Sequence, residues 1–187
     1  MYYDQIVFSA LHVLADRATL LDGGIVFLSQ YLPYFLIASL LLALTRVSGW
    51  RERVELAATM ALGVIFARGI LTEIFRFFYD RPRPYEVLSF EPLLTNGSGS
   101  FPSGHMALLF ALGTALFFLN RRWGVWFLAL SFLVGLARVA AGVHWPTDIL
   151  GGAVLGALSA LLAKRLVWPR DQPASPELQR GEQASRE

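Results

Sequence analysis

The chain has 187 residues, of which 55% are hydrophobic and 16% are charged. This composition is typical of a membrane protein. The absence of cysteine excludes disulfides and thiolate metal sites, and a formal net charge of only +2 does not favour nucleic acid as a partner.

The N-terminal segment, residues 5–21, mixes polar and apolar side chains with a helical period. Its polar members recur every three to four positions: Gln5, Ser9, His12, Asp16 and Thr19. The pattern predicts an amphipathic helix that lies on the membrane or packs against a helix bundle, with a short first membrane span as the alternative. The segment lacks the basic start and the small-residue cleavage site of a secretory signal.

Five longer apolar segments follow, each close to the roughly 20 residues that cross a bilayer. They cover residues 23–45, 54–78, 105–119, 123–142 and 148–168. The third is short, and we expect residues 101–104 to extend it, while Pro33 is expected to kink the first. The fold class predicted is therefore all-α: a polytopic membrane helix bundle with five to six transmembrane helices and an N-terminal amphipathic or short helix.

Residues 1–168 are expected to form a single membrane-embedded domain. The polar tail, residues 169–187, is rich in Pro, Gln, Ser and Glu, and is predicted to be disordered.

Three clusters of basic residues orient the predicted spans. They are Arg46, Arg51 and Arg53 in the first connection, Arg121 and Arg122 in the third, and Lys164, Arg165 and Arg170 near the end. Five spans place all three clusters on one side of the membrane, which the positive-inside rule makes cytoplasmic. The second and fourth connections are then expected on the extracytoplasmic side.

The second connection starts beside two arginines, Arg76 and Arg83, the latter followed by proline. Guanidinium groups suit bidentate contacts with phosphate. The alternatives are a helix end at the interface for Arg76 and snorkelling to lipid headgroups for Arg81 and Arg83. Deeper in the same span, Arg68 and Glu73 are expected to pair with each other or with a polar neighbour, because a charge at mid-membrane costs about 2.5–3.5 kcal/mol.

The same connection ends in a Pro-Ser-Gly-His string that includes Ser103, Gly104 and His105. Ser103 is suited to cap the third span, and Gly104 lets the backbone approach a ligand closely. Amide groups at a helix start bind anions, and His105 would face the bound group. The alternative is an ordinary cap followed by an interfacial histidine.

The fourth connection carries Arg138, His144 and Asp148. If Thr147 caps the fifth span, Asp148 falls in the first turn and can point back at His144. A carboxylate on one ring nitrogen sets the tautomer and leaves the other nitrogen nucleophilic. The alternative is that Asp148 only complements the helix dipole.

In this order, the three strings resemble the signature of the type 2 phosphatidic acid phosphatase superfamily, which also contains vanadium haloperoxidases and bacterial acid phosphatases. That signature is Lys-x6-Arg-Pro, then Pro-Ser-Gly-His, then Ser-Arg-x5-His-x3-Asp. Here Arg76 stands in place of the lysine and Ala137 in place of the serine. The resemblance covers roughly residues 54–168.

The resemblance and the residue chemistry together imply a phosphatase that works through a phosphohistidine, without a metal or another cofactor. His144 would attack the phosphorus, Asp148 would orient it, and His105 would act as general acid and base. The phosphate would be held by Arg76, Arg83, Ser103, Gly104 and Arg138.

Within the superfamily, the small size and residues 142–151 are similar to the undecaprenyl-diphosphate phosphatases of the bacitracin-resistance type. The similarity implies an integral enzyme of the bacterial inner membrane whose outward-facing site serves cell-envelope and peptidoglycan synthesis. Lipid phosphates and membrane lipids would be its partners. Many members of that subgroup have Asp where this chain has Gly104, so phosphatidylglycerophosphate and phosphatidate stay open as substrates. A phosphotransferase, a vanadate-dependent oxidase, and a non-catalytic lipid binder or translocase are the alternatives of other classes.

Overall fold

The computed structural model describes residues 2–15, 17–95, 97 and 99–168, and it is helical throughout, without a strand in those ranges. The α-helices are α1 (Tyr2–His12), α2 (Thr19–Val26), α3 (Leu32–Thr45), α4 (Trp50–Val64), α5 (Thr72–Phe78), α6 (Pro84–Leu88), α7 (Gly104–Leu119), α8 (Arg121–Ala140) and α9 (Pro146–Val167). The tail that was predicted to be disordered, residues 169–187, lies outside the described residues.

Four helical stretches are long and apolar enough to cross a membrane. They are Thr19–Thr45, Trp50–Phe78, Arg121–Ala140 and Pro146–Val167. The fifth predicted span is α7, a shorter apolar helix of 16 residues, which rises about 24 Å. At 11 residues, α1 rises only about 16 Å and cannot cross a hydrocarbon core of about 30 Å. The predicted membrane helix bundle is confirmed, and α1 is too short to add a sixth span.

Two predicted boundaries are corrected. The N-terminal helix covers Tyr2–His12 rather than residues 5–21. It ends in a tightened turn in which the N–H groups of Leu14 and Ala15 reach carbonyls three residues back, at 3.2 and 2.9 Å. Of residues 101–104, only Gly104 extends the third span, because Ser103 has an extended backbone and α7 begins at Gly104.

Two of the spans contain a π-helical turn. The first, Phe27–Tyr31, ends two residues before Pro33, which lies in the first turn of α3. The second, Ile65–Leu71, joins α4 to α5 and contains Arg68. Such a turn changes the direction in which the following side chains point, and it often occurs at functional sites.

The helix α7 is the centre of the bundle and packs against α9, α8 and α4. Small residues allow the closest approach: a Cβ atom added at Gly152 or Gly156 would lie 2.4 Å from a backbone carbonyl oxygen of the α7 segment. Close packing through small residues is a common way to join helices in a bilayer. The starts of α7 and α9 are therefore held side by side.

This topology places the three motif strings at one end of the bundle. Residues 79–103 connect α5 to α7, and residues 141–145 connect α8 to α9, so both connections follow spans that run in the same direction. The connections from α3 to α4 and from α7 to α8, which carry the predicted cytoplasmic arginines, lie at the opposite end.

Candidate active site

Hydrogen bonds join the two motif-bearing connections. The side chain of Arg83 donates to the carbonyl of Val143 at 2.6 Å, and the indole N–H of Trp145 donates to the carbonyl of Pro82 at 3.0 Å. At the start of α7, the N–H of Ser103 donates to the backbone carbonyl of Asp148 at 3.0 Å. Residues far apart in the chain thus form one rigid end of the bundle.

A cavity of about 310 Å³ opens at this end. Six of the eight predicted site residues line it: Arg76, Arg83, Gly104, His105, Arg138 and His144. The other two lie directly behind the wall, since Ser103 precedes Gly104 and the Asp148 side chain contacts the ring of His144. Apolar residues of α3 and α7 also line the cavity: Pro33, Tyr34, Ile37, Leu108 and Leu109.

The histidine ring of His144 is held by the short turn between α8 and α9. Gly142 has a φ of +84°, a left-handed conformation that glycine adopts without strain, and a Cβ atom there would lie 2.6 Å from the ring of Phe90. His144 is 1% exposed, and its Nδ1 lies 3.5 Å from Oδ2 of Asp148. A carboxylate on the Nδ1 side favours the proton there and leaves Nε2 with its lone pair.

Asp148 lies in the first turn of α9, but the capping residue is Trp145 and not Thr147 as predicted. The helix begins two residues earlier than the pattern indicated, because Pro146 is suited to the first helical position. As a result, Oδ2 of Asp148 accepts a hydrogen bond from the N–H of Trp145 at 2.7 Å and another from the hydroxyl of Ser100.

The pKa of His144 is lowered to about 4, mainly by burial. Asp148 acts in the opposite direction by favouring the imidazolium, while the positive charges of Arg138 and Arg83 lower the pKa further. The ring is therefore neutral at neutral pH, which is the state that a nucleophilic nitrogen requires.

The second predicted histidine, His105, lies in the first turn of α7 and is exposed to the cavity. Ser103 occupies the N-cap position, but its side chain makes no capping bond. Its buried Oγ has no hydrogen-bond partner among the described residues. A buried hydroxyl without a partner is costly, so this oxygen is available to a ligand.

Three predicted arginines line the cavity from three different helices or connections. Arg76 donates to the carbonyl of Pro102 at 3.3 Å, and Arg138, which is 3% exposed, donates to the carbonyl of Ser29 at 3.3 Å. Arg83 is 3% exposed, and burial lowers its pKa from the usual value. This concentration of cations favours an anion in the cavity.

The expected pair of Arg68 and Glu73 is confirmed by a salt bridge. The sequence did not indicate that Arg68 also lines the cavity, where its side chain lies over Gly104. A Cβ atom at Gly104 would be 2.6 Å from Nε of Arg68. The signals available in the sequence were a charge inside a span and a glycine at a helix start.

Arg81 does not snorkel to headgroups, which was one of the alternatives. It is 6% exposed and donates to Oδ1 of Asp148 and to Oδ2 of Asp4, both at 2.6 Å. Although burial opposes it, these two carboxylates raise the pKa of Arg81 above its usual value. Asp4 and Ser100 were not predicted as parts of the site, and neither belongs to a motif string.

Within the described part of the chain, no group of three or more His, Cys, Asp or Glu side chains could hold a metal ion. The PAP2 superfamily model matches residues 56–172, which is more than half of the chain. The chain belongs to the PAP2 superfamily. This is the superfamily that the three motif strings resemble.

Similar proteins extend the match beyond the motif region. The chain is 32% identical over 159 residues to the bacitracin transport permease protein BcrC of Bacillus licheniformis, covering 82% of this chain and 75% of that protein. It is 27% identical over 157 residues to the undecaprenyl-diphosphatase BcrC of Bacillus subtilis (strain 168), covering 83% of this chain and 80% of that protein.

A solved structure shows the same fold. The first transmembrane PAP2-type phosphatidylglycerolphosphate phosphatase from Bacillus subtilis aligns with a TM-score of 0.68 at 23% identity, covering 91% of this chain and 88% of that one. This PAP2 protein is therefore an integral-membrane phosphatase, which is a phosphoric-ester hydrolase.

The low pKa of His144 predicts a titration that nuclear magnetic resonance can follow in protein labelled with ¹⁵N-histidine. Because burial disfavours the imidazolium, the His144 ring should stay neutral as the pH is lowered through 6.5 and gain its proton only near a pH of about 4. The chain has three histidines, and His144→Gln identifies the signal. A His144 midpoint at the usual histidine pKa of 6.5 or above would contradict the assignment of a buried neutral ring.

Proposed function

We propose that this phosphatase hydrolyses undecaprenyl diphosphate to the monophosphate through a phosphohistidine on His144, without a metal. The observation that carries the proposal is a neutral, buried histidine at a cavity lined by arginines, with a second histidine on the same cavity. The first histidine can attack a phosphorus atom that the arginines hold, and the second can move the protons.

In the first step, the lone pair on Nε2 of His144 forms a bond to the terminal phosphorus as the bridging P–O bond breaks. His105 donates a proton to the departing oxygen, and undecaprenyl monophosphate leaves. Asp148 stabilises the positive charge that develops on the ring of His144. In the second step, His105 takes a proton from water, the water oxygen bonds to phosphorus, and the N–P bond breaks to release inorganic phosphate.

The arginines would bear the charge of the transferring phosphoryl group. Arg76, Arg83 and Arg138 stand around the cavity, so their guanidinium groups can bind the non-bridging oxygens as negative charge spreads over them. The hydroxyl of Ser103 and the amide of Gly104 would add donors at the helix start. With Arg68, four cations face the cavity, which suits a diphosphate because it carries more charge than a phosphate monoester.

The lipid tail would run along α3. This helix supplies the apolar wall of the phosphate cavity, and a second cavity of about 750 Å³ lies further along α3 towards the opposite end of the bundle. Its lining includes Leu36, Leu40 and Ala43 of α3 with Leu116 and Phe127 of the facing helices. The name of the Bacillus subtilis relative, undecaprenyl-diphosphatase, supports a long prenyl tail for this position.

Glycerolipid phosphates are the second candidate class of substrate. Gly104 is the observation that favours them, since it is the broader superfamily's residue at a position where the bacitracin-resistance subgroup often has Asp. Phosphatidylglycerophosphate and phosphatidate would be cleaved by the same steps.

The roles of the two histidines predict different defects. His144→Ala should abolish turnover and the phosphoenzyme, because the nucleophile is gone. His105→Ala should slow both steps by about 10²–10⁴-fold, the usual contribution of general acid–base catalysis. Release of inorganic phosphate and trapping of labelled phosphoenzyme measure the two effects, and His12→Ala is the matched histidine control.

The same assays are run with EDTA, which should leave the parent rate unchanged because arginines supply the positive charge. Parental activity in His144→Ala would reject the nucleophile. Loss of activity in EDTA that Mg²⁺ restores would reject the metal-free mechanism.

The substrate proposal is tested by competition in nanodiscs among undecaprenyl diphosphate, farnesyl diphosphate, phosphatidylglycerophosphate and phosphatidate. We expect kcat/KM to be highest for undecaprenyl diphosphate. Ala43→Phe, which fills the second cavity, should lower kcat/KM for the long prenyl substrate and leave farnesyl diphosphate unaffected, whereas Ala38→Phe on the exposed face of α3 should change neither. A preference of more than about tenfold, or ~1.4 kcal/mol, for a glycerolipid would overturn the substrate while leaving the mechanism standing.

We also propose that the enzyme lies in the bacterial inner membrane with its active site on the extracytoplasmic face, as the basic clusters of the opposite end indicate. The chain has no cysteine, so single cysteines report the orientation. A cysteine replacing Glu91, exposed between α6 and α7, should react with an impermeant thiol reagent in intact cells, and one replacing the exposed Ser48 should react only after lysis. The reverse pattern would place the active site in the cytoplasm.

A further inference from the structure

One face of α1 contacts the turn that carries His144. Asp4, Phe8 and His12 are spaced four residues apart and therefore share that face. Phe8 packs against Trp145 with ring centroids 5.4 Å apart, and the ring of His12 donates from Nδ1 to the carbonyl of Ala140 at 2.8 Å. The helix thus bridges the end of α8 and the start of α9.

Asp4 makes the polar contacts of this face at the start of α9. Its Oδ1 accepts from the N–H of Thr147 at 3.0 Å, and its Oδ2 accepts from the hydroxyl of Thr147 at 2.8 Å. Oδ2 also forms the salt bridge with Arg81 at 2.6 Å. Asp4 is 7% exposed, and although its own burial acts in the other direction, the bonds from Arg81 and Thr147 lower its pKa. Asp4 is therefore a charged partner at neutral pH.

Arg81 connects Asp4 to the carboxylate beside His144. Its Nη2 donates to Asp4, and its Nη1 donates to Oδ1 of Asp148. The guanidinium is planar and rigid. The bond from one of its nitrogens to Asp4 therefore also fixes the position of the other nitrogen, which donates to Asp148. The second oxygen of Asp148, Oδ2, lies 3.5 Å from Nδ1 of His144.

The three charged groups Asp4, Arg81 and Asp148 together carry a net negative charge. Two buried carboxylates share one guanidinium, so Arg81 does not neutralise Asp148 by itself. Without the charge of Asp4, the whole positive charge of Arg81 would act on Asp148 and would reduce the negative potential at His144. The developing imidazolium would then receive less stabilisation.

We propose that Asp4 is a positioning residue for catalysis, which acts through Arg81 to hold Asp148 in the orientation that supports His144. The inference rests on the proposed phosphohistidine mechanism. It assigns a role to α1, a helix that lies outside the residues matched by the superfamily model. A purely structural role, in which Asp4 only anchors α1 to the bundle, predicts different kinetics.

The test compares Asp4→Asn, Asp4→Glu and the parent by release of inorganic phosphate from undecaprenyl diphosphate and from phosphatidate in nanodiscs. Asp4→Asn removes the charge and keeps the size. We expect kcat to fall by about tenfold or more, the scale on which carboxylates that orient a histidine affect activity in metal sites, with KM changed less than about twofold. Asp4→Glu, which restores the charge, should recover most of kcat.

Two controls separate positioning from anchoring. His12→Ala removes the other polar anchor of α1 and should keep kcat near the parent value, even if the thermal transition falls. Glu55→Gln removes a carboxylate from the exposed pair with Arg51 and should change nothing. Equal loss of kcat in His12→Ala and Asp4→Asn, or parental kcat in Asp4→Asn, would overturn the positioning role.

If Asp4→Asn gives no folded protein, kcat and KM are measured for Arg81→Lys instead. An ammonium keeps the charge but cannot hold two carboxylates in the fork geometry, so kcat should fall while KM stays near the parent value. Parental kcat in Arg81→Lys would overturn the inference. If His144→Ala were as active as the parent, the proposed function itself would fail, and this role of Asp4 would fail with it.

Discussion

The buried carboxylate of Asp148 is the constraint on which the active end of this protein depends. Its side chain is fully buried, and a buried charge without partners would cost several kcal/mol, about 3–5 when one partner of such a pair is removed. It is compensated by Arg81, by the hydroxyl of Ser100 and by the N–H of Trp145. These donors come from both motif-bearing connections, so satisfying one carboxylate ties the two connections together.

The buried carboxylate of Asp148 also affects the charge state of His144, which the turn between α8 and α9 places at a cavity lined by arginines. Arg83 and Arg138 disfavour an imidazolium, and Asp148 offsets them only in part, so the resting ring of His144 is neutral. In the proposed mechanism, the positive charge that develops when phosphorus bonds to the ring would meet the carboxylate behind it and the bound phosphate in front. The arrangement therefore favours the charged intermediate more than the charged resting state.

Helix packing sets the position of this site relative to the lipid. The short helix α7 packs closely against glycines of α9, and its first turn brings His105 and the amide of Gly104 to the cavity. On the other wall, α3 supplies apolar residues next to the arginines. A charged headgroup and an apolar tail can thus meet the protein at one boundary, which is the geometry that a membrane-embedded lipid substrate requires.

The sequence by itself determined the spans and six of the residues that line the cavity. Hydrophobic length indicates membrane helices because a bilayer imposes that length. The motif strings are local, so the spacing of His144 and Asp148 already indicates that the two side chains lie close together. The class of enzyme followed from the order of those strings. The roles proposed for the site residues remain predictions.

Only the tertiary structure decided the contacts that link distant segments. Asp4 and Arg81 are 77 positions apart, and Asp148 lies 67 positions beyond Arg81. A single aspartate on an amphipathic helix carries no periodic or motif signal that would name its partner. The approach of Arg68 to Gly104 and the capping of α9 by Trp145 likewise depend on how the π turn and the proline direct the backbone. Local patterns predict the secondary structure of a segment, whereas the partners of buried charges depend on how distant segments pack together.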